Sequence, residues 1–125
     1  MTAAELKYMI AINQLYTGNG GINLISIAAH MGVSKVSVYR AMERLEKGGY
    51  AMRDEKNKIV ITEYGYERLA EYTDLTEWMA GHIERYCGVL HDIAYQDAIR
   101  AVCALSNESR LALSARIRLE EHKDD

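Results

Sequence analysis

The chain contains no proline, no phenylalanine, only two cysteines, and no apolar run of membrane length. Cys87 and Cys103 are too few to staple a small secreted domain, so the expectation is reduced thiols and a cytoplasmic protein. The missing apolar run excludes a helical membrane anchor, and the N-terminus shows no signal-peptide pattern. There is no Cys-x-x-Cys and no His-x-x-x-His, the spacings that most often announce a metal site. The glycine cluster Gly18-Asn19-Gly20-Gly21 lacks the context of a phosphate cradle and reads as a loop. With phenylalanine absent, the aromatic surface rests on nine tyrosines and Trp78.

What remains is ordinary globular material: 125 residues, 49% hydrophobic and 26% charged, enough for one or two small domains with a core. The net charge of −3 argues against a nucleic-acid partner until its distribution is considered. Residues 1–61 hold eight lysines and arginines against five acidic residues, whereas residues 62–125 hold seven against thirteen. A basic half on an acidic protein suffices for phosphate neutralisation, which is a local requirement.

The basic half is organised around Ile25–Leu45. A first short helix offers Ile25, Ile27 and Ala28 to a core. A turn follows at Met31-Gly32-Val33, and Ser34 is placed to cap a second helix. Val38, Ala41, Met42 and Leu45 recur at helical spacing as one apolar stripe, while Ser37, Arg40, Arg44 and Lys47 occupy the other side. Such a pair is the helix-turn-helix that enters a major groove. The plainer alternative is a helical hairpin whose cations pair with Glu43 and Glu46.

Around this pair the spacing predicts a first helix over 3–17, a second over 24–31 capped by Asn23, and a third over 35–48. Tyr50–Arg53 and Lys58–Ile61 read as two strands of a hairpin, with Asp54–Asn57 as its turn and Arg53, Lys56 and Lys58 as its cations. Three helices and a hairpin in this order make a winged helix-turn-helix over 1–62. Residues 63–125 read as helical: Thr62 is placed to cap a long helix starting at Glu63, with Leu69, Tyr72, Leu75, Met79, Ile83, Tyr86 and Leu90 on one face, a break near Thr73–Asp74 and a restart at the capping box Asp74–Glu77. Asp92 is expected to cap the next helix, with Ala94, Ala98, Ala101, Val102 and Leu105 inward. The last helix starts at Ser106 or Asn107 and turns Leu111, Leu113, Ala115, Ile117 and Leu119 inward, ahead of a fraying tail from Glu120. The fold class is therefore mostly α. The surplus of apolar surface marks 63–125 as a dimerisation domain.

The run Gly32-Val33-Ser34-Lys35-Val36-Ser37-Val38, followed by Met42-Glu43-Arg44-Leu45-Glu46-Lys47-Gly48-Gly49-Tyr50, resembles the winged-helix domain of the diphtheria-toxin-repressor family. Ile61-Thr62-Glu63-Tyr64-Gly65 is similar to that family's exit from the wing. His82 and Leu105-Ser106-Asn107-Glu108-Ser109 fit its helical domain. The resemblance covers most of the chain and points to the short, manganese-regulator branch, which lacks an SH3-like domain. It implies a homodimeric transcription factor, usually a repressor, acting on double-stranded DNA at a palindromic operator. It also implies a divalent transition metal (manganese, iron or zinc) as effector. The positions of the family's ligands fall here on Lys7, Ile10, His82, Ile99, Val102 and Cys103. Only His82 and Cys103 retain ligating chemistry, so the DNA role carries over and the metal role is open, including the reading in which there is no metal.

The expected DNA contacts are Ser34, Lys35, Ser37, Tyr39 and Arg40 at the start of the third helix, with Arg40 on a guanine. Arg44, Lys47, Arg53, Lys56 and Lys58 are expected on the backbone. Cys87 and His91, four apart on one helix face, form a soft pair without the further ligands a site needs. Nothing orients a third group or builds an oxyanion hole, so no enzyme is expected. A protein-interaction module on the same scaffold is the second reading.

Overall fold

The computed structural model describes residues 1–18 and 20–123. Asn19 of the glycine loop and Asp124 and Asp125 of the tail lie outside them. Among the described residues there are six helices and one two-stranded antiparallel sheet, a mostly helical architecture consistent with a winged helix followed by a helical domain. The chain groups into two compact units, Ala3–Ala70 and the residues from Glu71 onward.

In the first unit, α1 (Ala3–Leu15), α2 (Leu24–Met31) and α3 (Lys35–Lys47) enclose the core. Leu6, Met9, Ile12, Ile27, Val38, Met42 and Leu45 are withdrawn from water almost completely. Asn23 caps α2, its side-chain oxygen accepting from the Ser26 amide at 2.8 Å. Gly32 ends α2 in the left-handed region, at φ 68°, and turns the chain within three residues into α3. Ile25 departs from expectation: it is 60% exposed. The inward stripe of this two-turn helix is Leu24, Ile27, Ala28 and Met31, at the i, i+3, i+4, i+7 spacing that Ile25 misses.

Strands β1 (Ala51–Arg53) and β2 (Ile59–Ile61) pair with Ala51 opposite Ile61 and Arg53 opposite Ile59. Ile22 adds a bridge to the far side of β2, exchanging both backbone bonds with Ile59 at 2.8 and 2.7 Å. The hairpin is thus anchored on both sides of β2. Its exit is equally tight. The Thr62 hydroxyl donates to the Gly49 carbonyl at 2.6 Å and accepts from the Gly65 amide at 2.9 Å, capping α4 (Glu63–Cys87). A Cβ on Gly65 would run into the Tyr50 carbonyl oxygen, which explains glycine in the first turn of a helix.

The second unit takes most of α4 together with α5 (His91–Ala104) and α6 (Asn107–Lys123). The expected interruption at Thr73–Asp74 does not occur. Tyr72, Leu75, Thr76 and Ala80 are buried, and the Thr76 hydroxyl returns to the Tyr72 carbonyl at 2.7 Å, so one continuous face outweighs a local capping signal. Gly88, at φ 67°, ends the helix before Leu90, and Tyr86 lies in its last turn; both side chains, expected inward, are more than 70% exposed. Leu90 rather than Asp92 occupies the cap position of α5, with no side-chain bond, and Asp92 lies in the first turn. Ala94, Ala98, Ile99 and Val102 are buried, while Ala101 and Leu105 are half-buried.

Ser106 caps α6, accepting from the Ser109 amide at 3.1 Å. That helix runs to Lys123, through the residues expected to fray. Its inward face is Arg110, Ser114 and Ile117; Leu111 and Leu119 are exposed. The expected set Leu111, Leu113, Ala115, Ile117, Leu119 advances by two residues, which is a strand period and circles a helix instead of lining one face. Arg110 is 7% exposed. Its Nε donates to Glu71 at 3.0 Å, one NH donates to Asn107 at 2.8 Å, and the guanidinium lies 4.7 Å from the Tyr72 ring centre. Removing one partner of such a pair strands the other charge in a poorly solvated place. Arg110→Ala should therefore lower stability by about 3–5 kcal/mol in chemical denaturation. Arg110→Met combined with Glu71→Leu should recover most of that loss. A single-variant loss below about 1 kcal/mol, the range of surface pairs, would show that the pair is solvated.

Candidate nucleic-acid interface

The candidate face begins with the capping of α3. The Ser34 side-chain oxygen accepts from the Ser37 amide at 3.1 Å, and its hydroxyl donates to the Ser37 oxygen at 3.0 Å. Ser34 is thereby committed to holding the helix start. From this cap the helix divides cleanly. Val38, Ala41, Met42 and Leu45 are fully buried, and Lys35, Val36, Ser37, Tyr39, Arg40, Glu43, Arg44 and Lys47 are exposed. The structure therefore exposes Lys35, Ser37, Tyr39, Arg40, Arg44 and Lys47 on one rigid element, with Ser37, Arg40, Arg44 and Lys47 along one stripe. Val36 is 59% exposed, an apolar group on this face that the sequence reading did not single out.

The hairpin supplies a second set of cations. Asp54 organises its turn: one carboxylate oxygen accepts from the amides of Lys56 at 2.8 Å and Lys58 at 3.0 Å. Asn57 takes the left-handed conformation, φ 61°, that closes the turn. The Lys58 amide bond is the main reason the Asp54 carboxyl titrates below its ordinary value. Burial opposes it, and the Lys56 amide, the Lys58 charge and the Gly21 backbone reinforce it. The lysine side chains emerge from a turn fixed by their own backbone amides. Beside it a groove of about 460 Å³ runs between Gly20-Gly21 and Met52–Lys58.

Arg53 is placed differently from the other cations. Its Nε donates to Glu46 at 2.8 Å, one NH donates to Asn57 at 3.4 Å, and the guanidinium lies 5.0 Å from the Tyr39 ring centre.

The metal-ligand positions implied by the family resemblance do not offer a fitting donor set. Ile99 and Val102 are core side chains at 1% and 0% exposure, and neither carries a lone pair. His82 stands on α4 with the Trp78 ring centre 4.3 Å away and the Tyr86 ring nearly parallel at 6.1 Å. Cys103 is half-buried on α5. Among the described residues, no group of three or more His, Cys, Asp or Glu side chains converges as a metal site. Cys87 is exposed, and His91 Nδ1 lies 3.2 Å from Glu84 rather than forming a pair with the thiol. No described helix is long and apolar enough to cross a membrane.

No protein-family model matches this sequence, and no curated protein matches it. Solved structures do resemble the fold. The hypothetical protein SSo2273 from Sulfolobus solfataricus superposes with a TM-score of 0.73 at 15% identity, over 94% of this chain and 89% of that one. The manganese regulator SloR superposes with a TM-score of 0.74 at 17% identity, over 94% of this chain and 55% of its own. The chain thus spans about half the length of SloR. Identities this low establish a shared fold, that of a known regulator.

Because a depressed carboxyl pKa stabilises the folded form above the group's ordinary value, the Asp54 contribution is complete near neutrality. It is lost only as pH falls through the lowered pKa, below the ordinary range of an aspartate. The hairpin should hold its bonds at pH 5. Asp54→Ala should speed amide exchange at Lys56 and Lys58 several-fold at neutral pH, with little change in the α3 amides. Unchanged exchange at those two amides would show that Asp54 does not organise the turn.

Proposed function

We propose that this chain is a homodimeric, sequence-specific DNA-binding transcriptional regulator, a repressor, with α3 as the recognition helix and the β1–β2 hairpin as the wing. One observation carries the reading. The recognition helix buries one stripe completely and presents Ser37, Arg40, Arg44 and Lys47 on the other, beside a hairpin tip armed with Lys56 and Lys58. The likeness to the manganese regulator SloR supports it. Arg40 sits one turn into the helix, where a planar fork can engage a guanine edge. Lys35, Arg44, Lys47, Lys56 and Lys58 neutralise phosphates, and Tyr39 and Ser37 flank the base contact. Ser34 contributes by fixing the helix start.

Homodimerisation rests on the exposed apolar residues of the second unit. Tyr86, Leu90 and Ile93 lie around the turn between α4 and α5, and Leu111 and Leu119 on α6. Where such side chains gather into one contiguous patch, they mark an association surface. A two-fold dimer matches a palindromic operator. The exposed Val36, Met52 and Ile25 favour one competing reading, a winged-helix module that binds protein instead of DNA.

Titration of the full chain against genomic fragments separates these readings: a regulator shows salt-sensitive, sequence-selective binding and an interaction module does not. On the selected site, Arg40→Ala should weaken binding by about 1–3 kcal/mol and relax preference at one base pair. Lys56→Ala should weaken all sequences alike and reduce the salt slope by about one. Wild-type affinity in Arg40→Ala would remove Arg40 from the base contact. In sedimentation at micromolar concentration the chain should run as a dimer, and a monomer would exclude the two-fold arrangement.

A further inference from the structure

The cation Arg53 is the one member of the proposed DNA face whose guanidinium is occupied from two directions by α3. Glu46 takes its Nε at 2.8 Å, and Tyr39 offers a ring face 5.0 Å from the guanidinium carbon. These partners are seven residues apart, two turns along the same side of the helix, so both reach the end of β1 together. Asn57, in the hairpin turn, receives a further NH at 3.4 Å. The Arg53 side chain retains 22% exposure, against 37% for Glu46.

We propose that Glu46, Tyr39 and Arg53 form a strut that sets the angle of the wing on the recognition helix. In this proposal Arg53 is a positioning residue and not a phosphate ligand. It rests on the DNA-binding reading above and refines which cations do what. The pair is neutral as a unit, so it draws no phosphate, and the Glu46 carboxylate repels one. A guanidinium turned toward a phosphate would give up an ion pair and a ring contact that it already holds. The wing also needs such a fixture: each strand has only three residues, and the two lysines ride on its tip. The strut holds the Tyr39 ring as well, beside Arg40 on the reading face. Its loss should disturb fit to the chosen sequence more than general attraction to DNA.

The test is a comparison of full-length variants on the selected site and on unrelated DNA, across a salt series. Lysine keeps the charge but has neither the planar face nor the Nε donor, so Arg53→Lys breaks a strut and preserves a phosphate ligand. The strut predicts that Arg53→Lys loses roughly 3- to 10-fold in specific affinity while affinity for unrelated DNA is unchanged. Arg53→Met should leave the salt slope as in the wild type. Adding Glu46→Gln to Arg53→Lys should cost nothing more, since both changes break the same contact. The proposal is overturned if Arg53→Lys binds like the wild type, or if Arg53→Met lowers the salt slope by about 0.9, the signature of one lost phosphate contact. Wild-type chain without any sequence-selective binding would remove the DNA reading itself, and the strut with it. Exchange protection of the Ile59 amide, bonded to Ile22, reports that the hairpin remains folded in each variant.

Discussion

The first unit depends on the complete burial of Val38, Ala41, Met42 and Leu45. Four side chains withdrawn from water on one helix contribute several kcal/mol and leave the helix one rotational setting about its axis. Everything exposed on α3 is exposed because of that setting. Arg40, Arg44 and Lys47 face solvent not through any attraction of their own but because the opposite side has no freedom to turn. A lysine or arginine on a loop would sample many directions. Here the backbone carries the cations at fixed spacing, which is the condition for reading a rigid partner.

The same constraint passes outward through backbone contacts. Tyr50 leaves α3 with its amide bonded to the Leu45 carbonyl at 2.9 Å, and its own carbonyl accepts from Thr62 at 3.1 Å. The Tyr50 and Tyr64 rings stack at 5.5 Å across this junction. Helix α3, the β1–β2 hairpin and the start of α4 thus share one knot, in which Gly65 leaves room for the Tyr50 carbonyl. Ile22 closes the far side of β2. A two-stranded hairpin is marginal alone in water. This one is held at its root, at its outer edge and, through Arg53, at its tip.

Legibility in the sequence followed the range of each interaction. The caps at Asn23, Ser34 and Thr62 span three residues, and their signals were visible at that range. The α3 stripe spans two turns and was equally clear. Of the α6 face only Ile117 is legible, because the other inward residues are the polar Arg110 and Ser114, and Arg110 finds its partner in Glu71, thirty-nine positions away. Ile22 pairing with Ile59 is a long-range contact with no periodicity to announce it. The Arg53 contact with Glu46 crosses a change from helix to strand, where neither the 3.6-residue nor the two-residue period applies. The Asp74–Glu77 signal was a valid capping pattern overridden by a buried face that extends beyond it on both sides.

The helical unit bears on whether the proposed regulator needs a metal effector. The family resemblance places ligand positions at Ile99 and Val102, and here those side chains fill the core. Each stabilises the unit by about 1.5–3 kcal/mol through burial, whereas an unpaired carboxylate in the same place would cost far more than that. Positions that call for a cation in one chemistry are self-sufficient in the other, because there is no charge for the cation to neutralise. The two buried charged side chains described in this unit, Glu71 and Arg110, are each other's counter-ions, supplied by the chain itself. Internal pairing of that kind gives helices α4 and α6 a fixed ionic contact within a mostly apolar interior. The packing that carries the proposed dimer surface is therefore specified by the side chains themselves.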